Sequence, residues 1–181
     1  MQNNRQIVIT VGDEAGVGPE IILKALASND IPKKINILIV GNKKNLISKY
    51  CFLKSLGIET IADPNQLEIE DLKISDTNVK EPSKDTGNAS FLYLKHAIEI
   101  VKRTPNSALV TSPICKKLWN SAGHNYSGQT ELLSEICESP NVGMLFTAKS
   151  PFTGWRFNTL LATTHIPIRE VPDKLLSLIH I

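Results

Sequence analysis

Three segments of the sequence carry residue types that could bind an anionic small molecule or a metal ion. Segment 11–20 has three glycines and leads into a predicted helix, so its backbone N–H groups could hold an anion. Segment 111–117 offers hydroxyl groups and two adjacent lysines, of which Lys116 comes first, and a lysine can bind a phosphate or carboxylate as a compact point charge. Segment 161–169 contains His165, whose neutral imidazole could ligate a divalent metal.

Each segment also has a purely structural interpretation. The glycine spacing matches neither GxGxxG nor a P-loop, and Asp13 and Glu14 would repel a phosphate beside them, so a tight structural turn is an equal alternative. Lys116 and Lys117 are also typical of a solvated loop. His165 shares no HxxxH spacing with the other histidines, and a lone histidine is more often a hydrogen-bonded structural residue.

Short β-rich runs alternate with helical patterns, which predicts an α/β fold with a largely parallel, buried sheet. Leu94, Ala97, Ile98 and Val101 form one apolar stripe at helical spacing. The segment 63–86 is polar and is predicted to form short strands and loops. The predicted strands are 6–10, 35–40, 107–111, 142–147 and 158–163, and the predicted helices are 19–27, 94–101 and 130–138, the last with a cap from Thr130.

The three segments that could do chemistry each follow a predicted strand. In α/β sheets, ligands bind beyond the carboxyl ends of the strands. We therefore expect the three segments to share one edge of the sheet.

The composition favours a folded protein that binds a small molecule. The chain has 181 residues, of which 41% are apolar, so it can bury a core, and one domain is the default expectation. A net charge of +2 argues against nucleic acid or a membrane surface as partner. Cys51, Cys115 and Cys137 are widely spaced, as is typical of reduced thiols in a cytoplasmic protein. We expect neither a signal peptide nor a transmembrane segment.

Four stretches, in order along the chain, are similar to the motifs of one enzyme family. Stretch 9–20 is similar to that family's opening T-P-G-[DE]-P-A-G-[IV]-G-P-E signature, and 111–116 to its T-[GA]-P-[IV]-x-K segment. Stretch 128–132 is similar to its G-H-T-E-[FL], and 162–171 to its A-T-T-H-[LI]-P-L-[RK]-[DE]-V. The sequence thus resembles the 4-hydroxythreonine-4-phosphate dehydrogenase family, PdxA.

The resemblance implies a mostly parallel sheet flanked by helices, as in isocitrate and isopropylmalate dehydrogenases. It implies oxidation of the 3-hydroxyl of 4-phosphohydroxy-L-threonine by NAD or NADP, with decarboxylation, during pyridoxal 5'-phosphate biosynthesis. It makes His165 a ligand of a divalent cation (zinc, magnesium or cobalt), places Gln129 and Thr130 against the phosphorylated substrate, and gives Lys116 a catalytic or substrate-supporting role. It leaves the residues that bind the nicotinamide cofactor unknown, and it implies a homodimer for the intact family.

Several residues depart from the family's motifs. Gln129 stands where the family has histidine, which keeps hydrogen-bonding capacity but removes a titratable group. Val11 and Glu14 stand in place of two prolines, which we expect to loosen the turn and to add negative charge at its edge. We also expect segment 149–157 to be longer than the hairpin that the family has there.

The resemblance covers only the amino-terminal half of the family, whose members are about twice as long. We therefore expect residues 1–181 to be the amino-terminal portion of a truncated dehydrogenase, with the second half absent and the isolated chain inactive. The apolar run 174–181 predicts a helix that has lost a partner, or one that docks on its own domain. Two alternatives remain open: a dehydrogenase of a four-carbon sugar-acid phosphate, and a non-catalytic binding or interaction protein.

Overall fold

The structure, a computed structural model, describes residues 5–32, 34–74, 79, 81–139, 141–163 and 166–176. The chain forms two compact units, Met1–Glu138 and Ser139–Ile181. The elements of the first unit are β1 (Arg5–Thr10), α1 (Gly18–Leu26), β2 (Ile35–Gly41), α2 (Lys43–Ser55), a 3-10 turn (Pro64–Gln66), β3 (Glu68–Asp71), α3 (Lys84–Arg103), β4 (Ser107–Thr111), α4 (Lys116–Ser121) and α5 (Gln129–Ile136). Those of the second are β5 (Leu145–Lys149), β6 (Arg156–Leu160), a 3-10 turn (Ile168–Glu170) and α6 (Val171–Leu176).

The first unit is built on a parallel sheet with the strand order β3-β2-β1-β4. Connections between parallel strands are right-handed, so the crossovers from β1 to β2 and from β2 to β3 place α1 and α2 on one face. The crossover from β3 to β4 runs in the opposite direction, which places α3 on the other face. The strand order therefore reverses between β1 and β4, and such a switch point is where open α/β sheets bind ligands.

The core of the first unit follows from the apolar strands and from the apolar stripes of the helices. Apolar β-strands buried on both faces need helices above and below them. The side chains buried between the sheet and helices α1 to α3 are Val8, Val11, Ile22, Leu23, Ile39, Val40, Leu46, Leu53, Ile61, Ala89, Tyr93 and Ala97. A second cluster joins α3 to α4 and α5 through Phe91, Leu94, Ile98, Trp119 and Leu132.

The helix ends are fixed by local hydrogen bonds. Helix α3 begins with a capping box, in which the backbone N–H of Thr86 donates to Ser83 Oγ and the N–H of Ser83 donates to Thr86 Oγ1. Helix α2 is capped by Asn42, whose side chain accepts the N–H of Asn45. Pro19 lies in the first turn of α1, where a missing N–H costs no hydrogen bond.

The second unit contains an antiparallel hairpin whose strands are exposed along their whole length, except for the half-buried Thr159. Its turn is closed by the N–H of Ser150, which donates to the carbonyl of Trp155 at 2.8 Å, and by Gly154, whose φ is +71°. Further along the chain, α6 follows directly on a 3-10 turn. The apolar run predicted to end the chain continues past α6 into residues 177–181, which lie outside the described residues.

Most of the predicted elements of the first unit are confirmed. Strands 6–10, 35–40 and 107–111 and helices 19–27 and 94–101 are present within a residue or two, or inside a longer element, and the sheet is parallel. Helix α2 was not predicted. The segment 63–86 contains the short strand β3 as expected, but its last residues already belong to α3.

Two predictions from the sequence are wrong. Thr130 does not cap its helix, because α5 begins one residue earlier and its N-cap is Gly128, which provides no side-chain hydrogen bond. Segments 142–147 and 158–163 do not form buried parallel strands; shifted by two or three residues, they form the exposed antiparallel hairpin of β5 and β6. The connection between them is too short for a parallel crossover, which needs about a dozen residues or more.

Within the part of the chain that the structure describes, no helix is both long and apolar enough to cross a membrane.

Candidate ligand site at the carboxyl edge of the parallel sheet

The loops that follow β1 and β4 are in direct contact at the carboxyl edge of the sheet. The N–H of Asp13 donates to the carbonyl of Pro113 at 3.0 Å, and the N–H of Ser112 donates to Thr10 Oγ1 at 3.4 Å. Gly12 has a φ of +72°, and a Cβ there would lie 2.4 Å from the same Pro113 oxygen. Only glycine allows both that backbone conformation and that close approach, so Gly12 sets the contact between the two loops.

Glu14 lies inside this edge rather than on its surface. Its side chain is buried, and its two carboxylate oxygens accept hydrogen bonds from Tyr93 Oη and Asn45 Nδ2, each at 2.7 Å. The carboxylate expected at the edge of the turn is therefore enclosed by helices α2 and α3 and is not exposed at the surface. The carboxyl group joins the loop after β1 to both helices.

Burial changes the pKa values of Glu14 and Tyr93. Burial raises the pKa of Glu14 above 4.5, although the hydrogen bonds from Tyr93 and Asn45 oppose the shift. Burial also raises the pKa of the Tyr93 phenol, and the neighbouring Glu14 carboxylate raises it further. Tyr93 therefore remains a hydrogen-bond donor throughout the physiological pH range.

Lys116 brings a positive charge to the start of α5. Its Cε and Nζ both lie 3.4 Å from the position that a Cβ of Gly128 would occupy, so the lysine side chain lies across the glycine. Glu131 Oε2 lies 3.2 Å from the same position and reduces the local positive charge. A side chain at position 128 would displace the lysine from the helix start.

Gln129 connects α5 to the end of β4. Its Nε2 donates to the carbonyl oxygen of Ser112 at 3.2 Å, which fixes the orientation of the side-chain amide. Its Oε1 is buried and, among the described residues, has no hydrogen-bond partner. An unpaired buried acceptor costs about 1–3 kcal/mol, so this oxygen would gain from a donor group. Thr130, next to it, is half-buried.

The fold and this geometry can be compared with known proteins. The model of the family described as "Pyridoxal phosphate biosynthetic protein PdxA" matches residues 33–177. The chain belongs to this family. The family predicted from the four motifs is thereby confirmed.

PdxA relatives match almost the whole chain. The 4-hydroxythreonine-4-phosphate dehydrogenase of Synechococcus sp. (strain RCC307) is 47% identical over 94% of this chain, which is 51% of that protein. The protein of the same name from Nostoc sp. (strain PCC 7120 / SAG 25.82 / UTEX 2576) is 43% identical over 94% of this chain and 49% of its own length. The chain thus spans about half the length of the curated relatives that it matches.

Solved structures of PdxA relatives share the fold. The crystal structure of a 4-hydroxythreonine-4-phosphate dehydrogenase from Burkholderia phymatum superposes with a TM-score of 0.76 at 25% identity, over 98% of this chain and 56% of that one. The corresponding Klebsiella pneumoniae structure gives a TM-score of 0.74 at 25% identity, over 94% of this chain and 54% of that one. The predicted α/β class with a parallel sheet flanked by helices is confirmed.

The site residues predicted from PdxA motifs fall into two groups. The side chain of Lys116, the first residue of α4, lies beside the start of α5, where Gln129 is the first residue and Thr130 the second. His165 lies outside the described residues, so its expected role as a metal ligand stays a prediction. Among the described residues, no three His, Cys, Asp or Glu side chains could together hold a metal ion.

Two residues of this PdxA chain that help to fix the carboxyl edge of the sheet were not predicted from the sequence. Tyr93 and Asn45 bind the Glu14 carboxylate, yet they lie 79 and 31 positions away in the sequence. The only sequence signal would have been a tyrosine on the apolar stripe of α3, because a buried phenol needs a polar partner.

Proposed function

We propose that this chain supplies the phosphate-binding part of a dehydrogenase that acts on a phosphorylated hydroxy amino acid. The reaction would be the NAD- or NADP-dependent oxidation, with decarboxylation, of 4-phosphohydroxy-L-threonine in pyridoxal 5'-phosphate biosynthesis. The proposal is supported by the family description and by the names of the relatives. Because the chain spans about half of those relatives, the complete activity is proposed to require the remainder of the PdxA fold.

The position of the Lys116 side chain beside the start of α5 carries the proposal. The N-terminus of a helix presents backbone N–H groups and a partial positive charge, which suit an anionic group. The Lys116 ammonium lies at that same point, and a lysine neutralises a phosphate as a point charge. The Thr130 hydroxyl, in the first turn of α5, could donate a further hydrogen bond to a phosphate oxygen.

Gln129 is proposed to bind a group of the substrate other than the phosphate. Its NH2 group is occupied by the Ser112 carbonyl, so its unpaired Oε1 offers an acceptor. An acceptor suits a hydroxyl or ammonium group of the substrate better than an ionised phosphate oxygen. We therefore assign the phosphate to Lys116 and Thr130, and a donor group of the substrate to Gln129.

The remaining parts of the proposal come from family membership. The nicotinamide cofactor would accept the hydride from the substrate hydroxyl; its binding residues in this chain are unassigned. A divalent cation held in part by His165, a homodimeric assembly and a cytoplasmic location complete the proposed enzyme.

A pair of neighbouring lysines provides the test. Lys116 and Lys117 are adjacent and both exposed, so Lys116→Met and Lys117→Met remove the same charge at different positions. We expect isothermal titration calorimetry with 4-phosphohydroxy-L-threonine to show binding that Lys116→Met weakens on the order of tenfold or more, as for a lost charge-assisted hydrogen bond. Lys117→Met should bind like the original chain.

Three outcomes would count against the proposal. These are no binding of the phosphorylated substrate, equal losses in the two variants, or a tighter interaction with the phosphate of a four-carbon sugar acid. The last result would keep the anion site but change the substrate branch. Inorganic phosphate in a parallel titration separates binding of the phosphate from binding of the rest of the substrate.

A further inference from the structure

The orientation of the Gln129 side chain depends on a loop outside its own helix. The amide NH2 donates to the carbonyl of Ser112 at 3.2 Å, and Ser112 lies 17 positions away in the loop after β4. Because the two ends of an amide point in different directions, this bond leaves the unpaired Oε1 on the side away from that carbonyl. The direction of the acceptor is therefore set by the position of the Ser112 backbone.

The backbone of Ser112 is held in turn by the loop after β1. The N–H of Ser112 donates to Thr10 Oγ1 at 3.4 Å, and the carbonyl of the next residue, Pro113, accepts the N–H of Asp13 at 3.0 Å. Thr10, Asp13 and Ser112 are all buried, so these bonds lie away from solvent. A shift of the loop after β1 would therefore move Ser112 and, with it, the Gln129 amide.

Glu14 fixes the position of the loop after β1. Its carboxylate accepts hydrogen bonds from Tyr93 Oη and Asn45 Nδ2, each at 2.7 Å, and from the backbone of Asn42. Tyr93 belongs to α3 and the two asparagines lie at the start of α2, so two helices hold the carboxylate. Among the described residues, Glu14 forms no ion pair with a basic side chain. Directional hydrogen bonds, and not neutralisation by a cation, therefore determine where this loop lies.

We propose that Glu14 is a positioning residue of the candidate ligand site and acts on the Gln129 acceptor through the contact between the two loops. One hydrogen bond joins Asp13, which adjoins Glu14, to Pro113. Another joins Ser112, which adjoins Pro113, to Gln129. Because the carboxylate of Glu14 is buried, it acts through these contacts and not by touching the ligand. The inference rests on the proposed function for what the acceptor binds, but the orientation of the amide can be measured without a ligand.

The side-chain amide of Gln129 reports on this connection in the free chain. Glu14→Ala removes the carboxylate, whereas Asn45→Ala removes one of its partners from a half-buried position of α2, where alanine favours the helix. Nuclear magnetic resonance can follow the exchange of the Gln129 NH2 protons with solvent. We expect this exchange to become about tenfold faster in Glu14→Ala, and faster by a smaller factor in Asn45→Ala.

Two further variants separate positioning from a general loss of stability. Glu14→Gln keeps groups that can form hydrogen bonds with Tyr93 and Asn45, so it should restore the exchange rate to within about twofold of the original. Glu20→Ala removes a half-buried carboxylate that accepts a hydrogen bond from Lys24 on the same helix. That variant should leave the exchange of the Gln129 NH2 protons unchanged.

Binding measurements show whether the oriented acceptor contributes to affinity. We expect isothermal titration calorimetry to show that Glu14→Ala lowers the affinity of the chain for 4-phosphohydroxy-L-threonine about threefold or more, as for coupling through packed contacts. The affinity for inorganic phosphate, which we assign to Lys116 and Thr130, should change by less than about twofold. A general loosening of the site would instead lower both affinities by the same factor.

The inference is overturned if the Gln129 NH2 protons exchange at the original rate in Glu14→Ala or, should that variant not fold, in Asn45→Ala. Equal losses of affinity for the substrate and for inorganic phosphate would also contradict it. An original chain that does not bind the substrate would contradict the proposed function alone, because the exchange rates would still decide whether Glu14 orients the amide.

Discussion

The carboxyl group of Glu14 fixes the loop after β1 to two helices. In the family's motif this position is a proline, which restricts the backbone through its ring. Here the restriction is exerted by the side chain instead, through hydrogen bonds of 2.7 Å from Tyr93 and Asn45. The expected loosening of the turn is thus opposed by contacts that link it to α2 and α3.

This buried carboxyl group should make stability depend on pH. Burial raises the pKa of Glu14 above 4.5, so the folded state binds its proton more tightly than the unfolded state does. The resulting stabilisation is fully present below pH 4.5 and is lost as the pH rises through the raised pKa. We expect the difference in unfolding temperature between the original chain and Glu14→Gln to fall as the pH rises from 4 to 8.

The half-buried carboxylate of Glu20 provides the control for this titration. The hydrogen bond from Lys24 lowers the pKa of Glu20, so any contribution from that residue is present at higher pH and is lost on acidification. Glu20→Gln should therefore give a small trend of the opposite sign. A Glu14→Gln difference that does not change with pH would show that the carboxyl group is not enclosed as the structure has it.

Sequence reasoning found part of the site and missed part of it for a physical reason. Lys116 and Gln129 lie in short motifs at strand and helix ends, where local patterns carry information about binding. The contacts of Glu14 depend on how α2 and α3 pack over the sheet, which no local pattern specifies. The orientation of the Gln129 amide is likewise set by the distant carbonyl of Ser112.

At the scale of secondary-structure elements, the close crossing of helices α3 and α4 depends on a single glycine, Gly87. A Cβ at Gly87 would lie 2.7 Å from the backbone of Leu118. Next to this crossing, Trp119 Nε1 donates to Ser90 Oγ at 2.8 Å, and the Trp119 ring contacts Phe91 edge-on. The start of α4, which carries Lys116, is therefore positioned by α3.

Replacing that glycine should separate the two helices. Alanine is a better helix former than glycine by about 1 kcal/mol, so helix propensity alone predicts that Gly87→Ala stabilises the protein. The overlap with Leu118 predicts the opposite, a loss of about 1–3 kcal/mol in the free energy of unfolding measured with urea.

The control lies on the exposed side of the same helix. Lys95→Ala should change the free energy of unfolding by less than about 0.5 kcal/mol. If Gly87→Ala instead increased that free energy, the close crossing would not exist in solution.

Among the secondary-structure elements, the sequence predicted best those that are long and strongly periodic. The stripe from Leu94 to Val101 identified α3, and the apolar runs of β1 and β2 identified buried strands. Helix α2 was not predicted, because only Leu46 and Leu53 among its residues are buried, which is too few to form an apolar stripe. The hairpin strands were taken for buried ones because their apolar composition is that of a buried sheet, although the described structure leaves them exposed.

For the molecule as a whole, the two units differ in how completely they are built. The first unit encloses the sheet between helices and buries two apolar clusters. The second has an exposed hairpin and two short helical segments, and none of its described residues belongs to the buried core. The difference between the units could not be read from composition, because the apolar residues of both look like core residues in the sequence.

This difference predicts the order in which a protease cuts the chain. Proteolysis requires local opening, which costs least where few apolar contacts are buried. Lys149 and Arg156 form an exposed cross-strand pair in the hairpin, so trypsin should cleave there first. Mass spectrometry during a short digestion should show a fragment that retains the first unit after these cuts.

The exposed lysines of α4 are the internal control for that digestion. Lys116 and Lys117 are also accessible, but they begin a helix that packs on α3 through Trp119, so cleavage there requires that packing to open. If cuts at these lysines preceded those at Lys149 and Arg156, the hairpin would be held by contacts that the exposed faces do not show.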